Sequence, residues 1–129
     1  MKDPIKIQET LDEFSASLQW YRWSALFPKD LLTDGALFVA NECQAYWLMD
    51  AIASWQYEKK VRVEEFQVWR LNKDSVNSGG HWRLLADDGN ENEIARQGFK
   101  FSNFPINSIK LYAVRNELGG VTVMLPGEY

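Results

Sequence analysis

The sequence predicts an α+β domain, an antiparallel meander sheet of about five strands with N-terminal helices packed on one face. Three observations carry that prediction. Apolar residues recur at helical spacing up to Trp55 and with a period of two from Glu65 onward. The alternating runs are joined by short Gly-, Asn-, Asp- and Pro-containing stretches, shorter than the roughly dozen residues a parallel crossover needs. Helices also precede the strands rather than alternating with them.

Asp3 and Pro4 supply a capping carboxylate and a first-turn proline, and Ile7, Leu11, Phe14 and Leu18 then keep helical spacing. Gln19 to Trp23 is dense in aromatics and reads as a strand, and Leu26 to Leu32, with Pro28, as a connecting turn. Asp34 should cap a short helix over Gly35 to Glu42 by accepting from its free N–H groups. After a break near Cys43 to Ala45, Leu48, Ala51, Ile52 and Trp55 define the inner face of a second helix, whose other side (Tyr46, Trp47, Met49, Ala53) is apolar too. That helix should be covered on more than one side. Tyr57 to Glu65 is rich in charge and reads as a solvated link.

The strands are expected at Phe66–Leu71, Trp82–Ala86, Glu93–Phe101, Ile109–Val114 and Val121–Leu125. Turn chemistry separates them at Asn77–Gly80, Asp88-Gly89-Asn90, Asn103-Phe104-Pro105 and Leu118-Gly119-Gly120. The Asp-Gly turn should pair the third run back on the second.

With 129 residues, the chain suits one domain over 1–129. A hydrophobic fraction of 46% places it outside the disordered class, and folding needs no cofactor. Its net charge of -4 opposes binding to nucleic acid through phosphates, which requires clustered Lys and Arg, and to anionic membranes. One cysteine, Cys43, excludes an internal disulfide and suits a reducing, cytoplasmic setting. No secretory signal or membrane-spanning run is read in it.

Asp50 is the sharpest candidate for a site, because a carboxylate between Met49 and Ala51 would be costly to bury alone. It is expected either to pair with an arginine such as Arg22 or Arg70, or to line a pocket with Tyr46, Trp47, Gln67 and Trp69. His81 reads as an idle turn residue and Cys43 as a small core residue; one of each cannot furnish an ordinary zinc site. Asp87, Asp88, Asn90, Glu91 and Glu93 lack EF-hand spacing and read as a hairpin tip. Of the six tryptophans, those left at the surface would anchor a partner. An aromatic sheet could also stack single-stranded bases if Arg22, Arg70, Arg83 and Lys110 were aligned beside it.

Five segments carry a resemblance: Thr33-Asp34-Gly35, Tyr46–Ser54 (YWLMDAIAS), Phe66–Leu71 (FQVWRL), Asn103-Phe104-Pro105 and Leu125–Tyr129 (LPGEY). In that order they resemble a family of small uncharacterised bacterial proteins found also in phages and plasmids. Relatives tend to have a glycine before the Tyr-Trp pair, where this chain has Gln44-Ala45. The resemblance implies an accessory-genome setting and no mechanism. Negative charge, aromatic excess and the lack of a catalytic signature make a non-catalytic interaction protein with a protein partner the leading expectation. A ligand pocket or small enzyme site at Asp50 comes second and single-strand binding third; self-association is left open.

Overall fold

The computed structural model describes residues 3–74, 81–100 and 102–129. In chain order the elements are α1 (Pro4–Glu13), β1 (Trp20–Tyr21), β2 (Leu31–Thr33), α2 (Asp34–Glu42), α3 (Tyr46–Trp55), α4 (Lys59–Arg62), β3 (Phe66–Lys73), β4 (Trp82–Asp87), β5 (Glu93–Phe99), β6 (Ser108–Arg115), β7 (Val121–Met124) and a closing 3₁₀ turn, Pro126–Glu128. The turn expected at Asn77–Gly80 lies outside the described residues.

All the strands form a seven-stranded mixed sheet in the order β1-β2-β7-β6-β3-β4-β5. The five-strand antiparallel meander is therefore corrected in two ways. Within β3 to β7 every pairing is antiparallel, but β6 returns to lie beside β3 instead of β5. Four strands thus stand in the order β6-β3-β4-β5, the Greek-key arrangement. A period of two assigns each side chain to a face and says nothing about neighbours, so alternation could not reveal this return. The connection that makes it, residues 100–107, buries Phe104 edge-on against Trp82, with centroids 5.8 Å apart.

The second correction concerns Leu26 to Leu32. Its last residues are β2, which pairs antiparallel with β1 and parallel with β7. A three-residue strand is too short to show a period, and a parallel partner about ninety positions away leaves no local signal.

Alternation along the strands puts Gln67, Trp69 and Leu71, Leu84 and Ala86, Leu111 and Ala113, and Val121 and Val123 on one face. Their apolar members form one core with Ile7 and Leu11 of α1, Val39 and Ala40 of α2, and Leu48, Met49 and Ile52 of α3. Helix α1 begins as expected, with the Asp3 carboxylate accepting from the Ile5 N–H at 2.9 Å and Pro4 in the first turn. It ends at Glu13, so Leu18 does not continue its face and is 88% exposed. The cause is tertiary. Ser17 Oγ accepts from the Asp34 N–H, and the Leu18 N–H donates to the Asp34 carboxylate, holding this stretch extended.

Asp34 is consequently not the cap of α2. Thr33 is, its hydroxyl oxygen accepting from the Ala36 N–H at 3.2 Å. The break before α3 is present, with Gln44 at φ 49° in the left-handed region. Helix α3 buries Leu48, Met49, Ile52 and Ala53 but leaves Tyr46, Asp50 and Ser54 as an exposed stripe. Trp47, Ala51 and Trp55 of the expected faces are partly buried against the core, so the helix is covered on more than one side and open along that stripe. The supposed solvated link contains α4, and Val61 there is fully buried.

Candidate functional site

The residues nominated from sequence divide between two environments. Asp50 is exposed and its carboxylate accepts from the Trp23 indole N–H at 2.9 Å, not from an arginine; Arg70 is paired with Asp87. Water solvates the remaining lone pairs, which removes the burial cost that made this residue conspicuous. Tyr46, one turn earlier, donates its hydroxyl to Asn41 at 2.6 Å. Trp47 is half-buried, edge-on to Phe99 with centroids 5.1 Å apart, and borders a cleft with Ser102 and Asn103.

Gln67 and Trp69 lie in the core instead. The Gln67 amide exchanges two hydrogen bonds with Gln56 (2.8 and 2.9 Å), and the carbonyls of Val61 and Glu64 share its second N–H. Its oxygen accepts from the Trp69 indole at 3.0 Å. A fully buried amide with its polar atoms answered in this way fastens the 56–64 segment to the sheet. The five nominated residues do not converge on one cavity.

Two other regions gather polar chemistry. In the first, Glu128 reaches back to the start of α2: one carboxylate oxygen accepts from the Thr33 hydroxyl (2.7 Å) and the Leu125 N–H (2.9 Å), and the other from the Gly35 N–H (2.9 Å). An anion at a helix N-terminus is favoured by the free N–H groups and the dipole. Gly35 is what admits it, since a Cβ there would lie 2.3 Å from a Glu128 oxygen. Asp34 faces the other way, accepting from the Leu18 N–H and the Tyr21 hydroxyl, and these hydrogen bonds hold its carboxyl below the usual range. Thr33-Asp34-Gly35 and Leu125–Tyr129 are therefore halves of one clasp.

The second region is a cleft of about 340 Å³ between the 26–30 segment, the end of α3 with the residues after it, and the β6–β7 turn. Leu26, Phe27 and Pro28 line one side, Tyr57 and Arg62 another, and Lys29, Asp30, Arg115 and Gly120 are also at its wall. The β6–β7 turn is set by Asn116, whose side chain accepts from the Leu118 and Gly120 N–H groups and donates to the Lys29 carbonyl. Gly120 fits against that carbonyl so closely that a Cβ would come within 2.2 Å of it. Asp30 accepts from the Val121 N–H at 2.9 Å; burial pushes its carboxyl up, opposed by that N–H and by the Arg115 charge. Arg115 donates to the carbonyls of Gly120 and Arg62, and Arg62 to that of Tyr57.

Charge is distributed unevenly between these places. Arg70, Arg83 and Arg96 each have a carboxylate within ion-pair distance, whereas among the described residues Lys29, Arg62 and Arg115 have none. The rim is also apolar: Leu26 is 77% and Tyr57 72% exposed, and exposed Val63 and Leu118 each adjoin a lining residue. Sequence reasoning missed this cleft because its walls are three segments read as connections. Their only advance signal was apolar residues beside charge, in Leu26-Phe27-Pro28-Lys29 and Tyr57–Arg62.

Among the remaining candidates, Cys43 is buried, and burial together with the Glu42 charge pushes its thiol up to about 11, which keeps it protonated and unreactive at neutral pH. His81 is exposed just before β4. The acidic hairpin tip spends its oxygens internally: Asp88 accepts from Asn90 and Asn92, Asp87 from Gly89 and Arg70, and Glu93 from Arg96. No group of three or more potential ligands is placed to hold a metal among the described residues. On the sheet face away from the core, Arg70 and Lys110 are register partners, with Phe66, Tyr112 and Tyr129 packed edge-to-face or tilted nearby. Arg70 and Arg83 are engaged there by Asp87 and Asp74, so two cations of the anticipated basic groove are already neutralised. No helix among the described residues is long and apolar enough to cross a membrane.

The chain belongs to a family of unknown function, DUF6876, whose family model matches residues 5–129. No curated protein and no solved structure matches it.

Proposed function

We propose that this member of a family without an assigned activity is a non-catalytic interaction module that contacts a protein partner through the cleft between the 26–30 segment, Tyr57–Arg62 and the β6–β7 turn. The observation that carries the reading is the coincidence, at one concave place, of two large side chains more than two-thirds exposed and three cations that have no carboxylate within ion-pair distance among the described residues. Exposed apolar surface rimmed by polar groups is the ordinary composition of a recognition site, and loops on a rigid sheet are where such sites stand. The likeness of the five sequence segments to phage and plasmid proteins supports an accessory-genome setting, with the partner a component of the bacterial host. One buried, protonated cysteine supports work in the cytoplasm.

A photocrosslinking side chain placed in turn at Leu26, Tyr57 and, as a control, Ile5 tests the surface. Ile5 is 69% exposed and lies on α1, outside the cleft. Discrete protein adducts in host cells from Leu26 and Tyr57 but not Ile5, diminished by excess unlabelled chain, are the expected outcome. Adducts of equal yield at all three positions, or none at the cleft, would remove the reading.

A further inference from the structure

We infer that the cleft receives an acidic segment of its partner, a carboxylate side chain lying beside Lys29 and Arg62 and an adjacent apolar side chain against Leu26 and Tyr57. This rests on the interaction reading above and gives the partner a chemistry.

The argument is one of charge complementarity. The chain has four more acidic than basic residues, 18 against 14, so carboxylates to pair with are not scarce. Arginines on β3, β4 and β5 find them. Lys29, Arg62 and Arg115 all line the cleft, where Asp30 is the one carboxylate among the lining residues, and that carboxylate is committed in part to the Val121 N–H. Cations crowded together without counter-charges repel one another, and an incoming anion relieves the repulsion while gaining its own attraction. An apolar rim makes a peptide a better occupant than a free ion, because it can bury a side chain as it delivers the charge.

Carboxylate is favoured over phosphate for two reasons. Asp30 already places a negative group in the cleft wall, and a doubly charged phosphate meets more of its repulsion than a singly charged carboxylate. Arg115 has both terminal nitrogens turned to carbonyls, so it does not offer the free fork that a phosphate grips. Lys29 and Arg62 remain as individual donors, which suits single carboxylates.

Amide spectra of the full isotope-labelled chain, titrated with the peptide acetyl-Glu-Asp-Leu-Phe-Asp-Glu-amide, test the assignment. Expected are shifts confined to residues 26–30, 57–62 and 115–120, with a Kd of roughly 10–500 μM, the weak range of a short peptide, loosening severalfold from low to physiological salt. The double variant Lys29→Glu/Arg62→Glu should keep the dispersed spectrum and lose about tenfold or more in affinity. Equal binding of a peptide with lysines for the acids, tighter binding of a phosphoserine version, shifts on another face, or unchanged affinity of the double variant would each overturn it. If Leu26 and Tyr57 crosslink to a partner while the acidic peptide gives no shifts at low salt, the interaction reading stands and this inference falls. If the crosslinks are missing too, both fall.

Discussion

The clasp at Glu128 and the cleft at Lys29 and Arg62 are opposite solutions to the same problem of placing charge in a small domain. At the clasp, one carboxylate accepts from three donors of its own chain, two of them more than ninety positions away. Its interaction capacity is used in closing the fold. Three cations line the cleft, and no described carboxylate comes within ion-pair distance of them. A charge answered by its own chain is architecture, and a charge with no counter-charge in ion-pair reach, beside exposed apolar side chains, is available to something else. The distinction also separates conspicuous residues from useful ones, since Asp50 drew attention in the sequence yet needs only water and the Trp23 indole.

The most damaging way to break the comparison is Gly35→Ala, which sets a methyl group against both Glu128 and Leu125. It should cost about 3 kcal/mol in chemical denaturation, within the range for overpacking plus a lost cap. Glu128→Ala should cost about 2 kcal/mol, leaving the Gly35 and Leu125 N–H groups without their acceptor. The double variant should be less destabilised than the sum, since the methyl group then meets a vacated space. Strict additivity would mean that the two residues do not act as one device.

Cys43 gives a third measurement, of order 1–3 kcal/mol and dependent on pH. Its thiol is raised in the folded chain, so the stabilising difference is complete below the ordinary thiol range, near pH 9, and declines as pH rises toward about 11 because the unfolded chain ionises first. Unfolding free energy should fall across that window and fall less in Cys43→Ala; parallel profiles would refute the burial account. Smaller still, Gln44→Gly should raise stability by up to about 1 kcal/mol by relieving the left-handed backbone. Smallest of all, Lys29→Glu should change stability by no more than about 0.5 kcal/mol, since its ammonium has no ion-pair partner among the described residues. A larger loss there would mean that the cleft is also architecture.

Legibility from sequence followed the range of the forces involved. The α1 cap at Asp3, the break at Gln44 and the Asp-Gly hairpin are set by backbone conformation and hydrogen bonds a few residues apart, and each stands where local chemistry placed it. The period of two likewise grouped Trp69 with Leu71 and Leu84 with Ala86 by face, and the sheet buries these sets. What failed depended on distant contacts. Leu18 left the α1 face because Asp34 captured its N–H, and Asp34 yielded the cap to Thr33 because its own carboxylate was turned to Leu18 and Tyr21.

By itself the sequence determined the two kinds of hydrophobic period, and hence an α+β chain with most of its strands toward the C-terminus. Only the tertiary structure decided which strands are neighbours, that the two most distant motifs of the chain close on one carboxylate, and that three unremarked connections face one another across a cleft. Periodicity is a property of one segment and its solvent, whereas pairing and convergence are chosen by the free energy of the whole chain closing on itself.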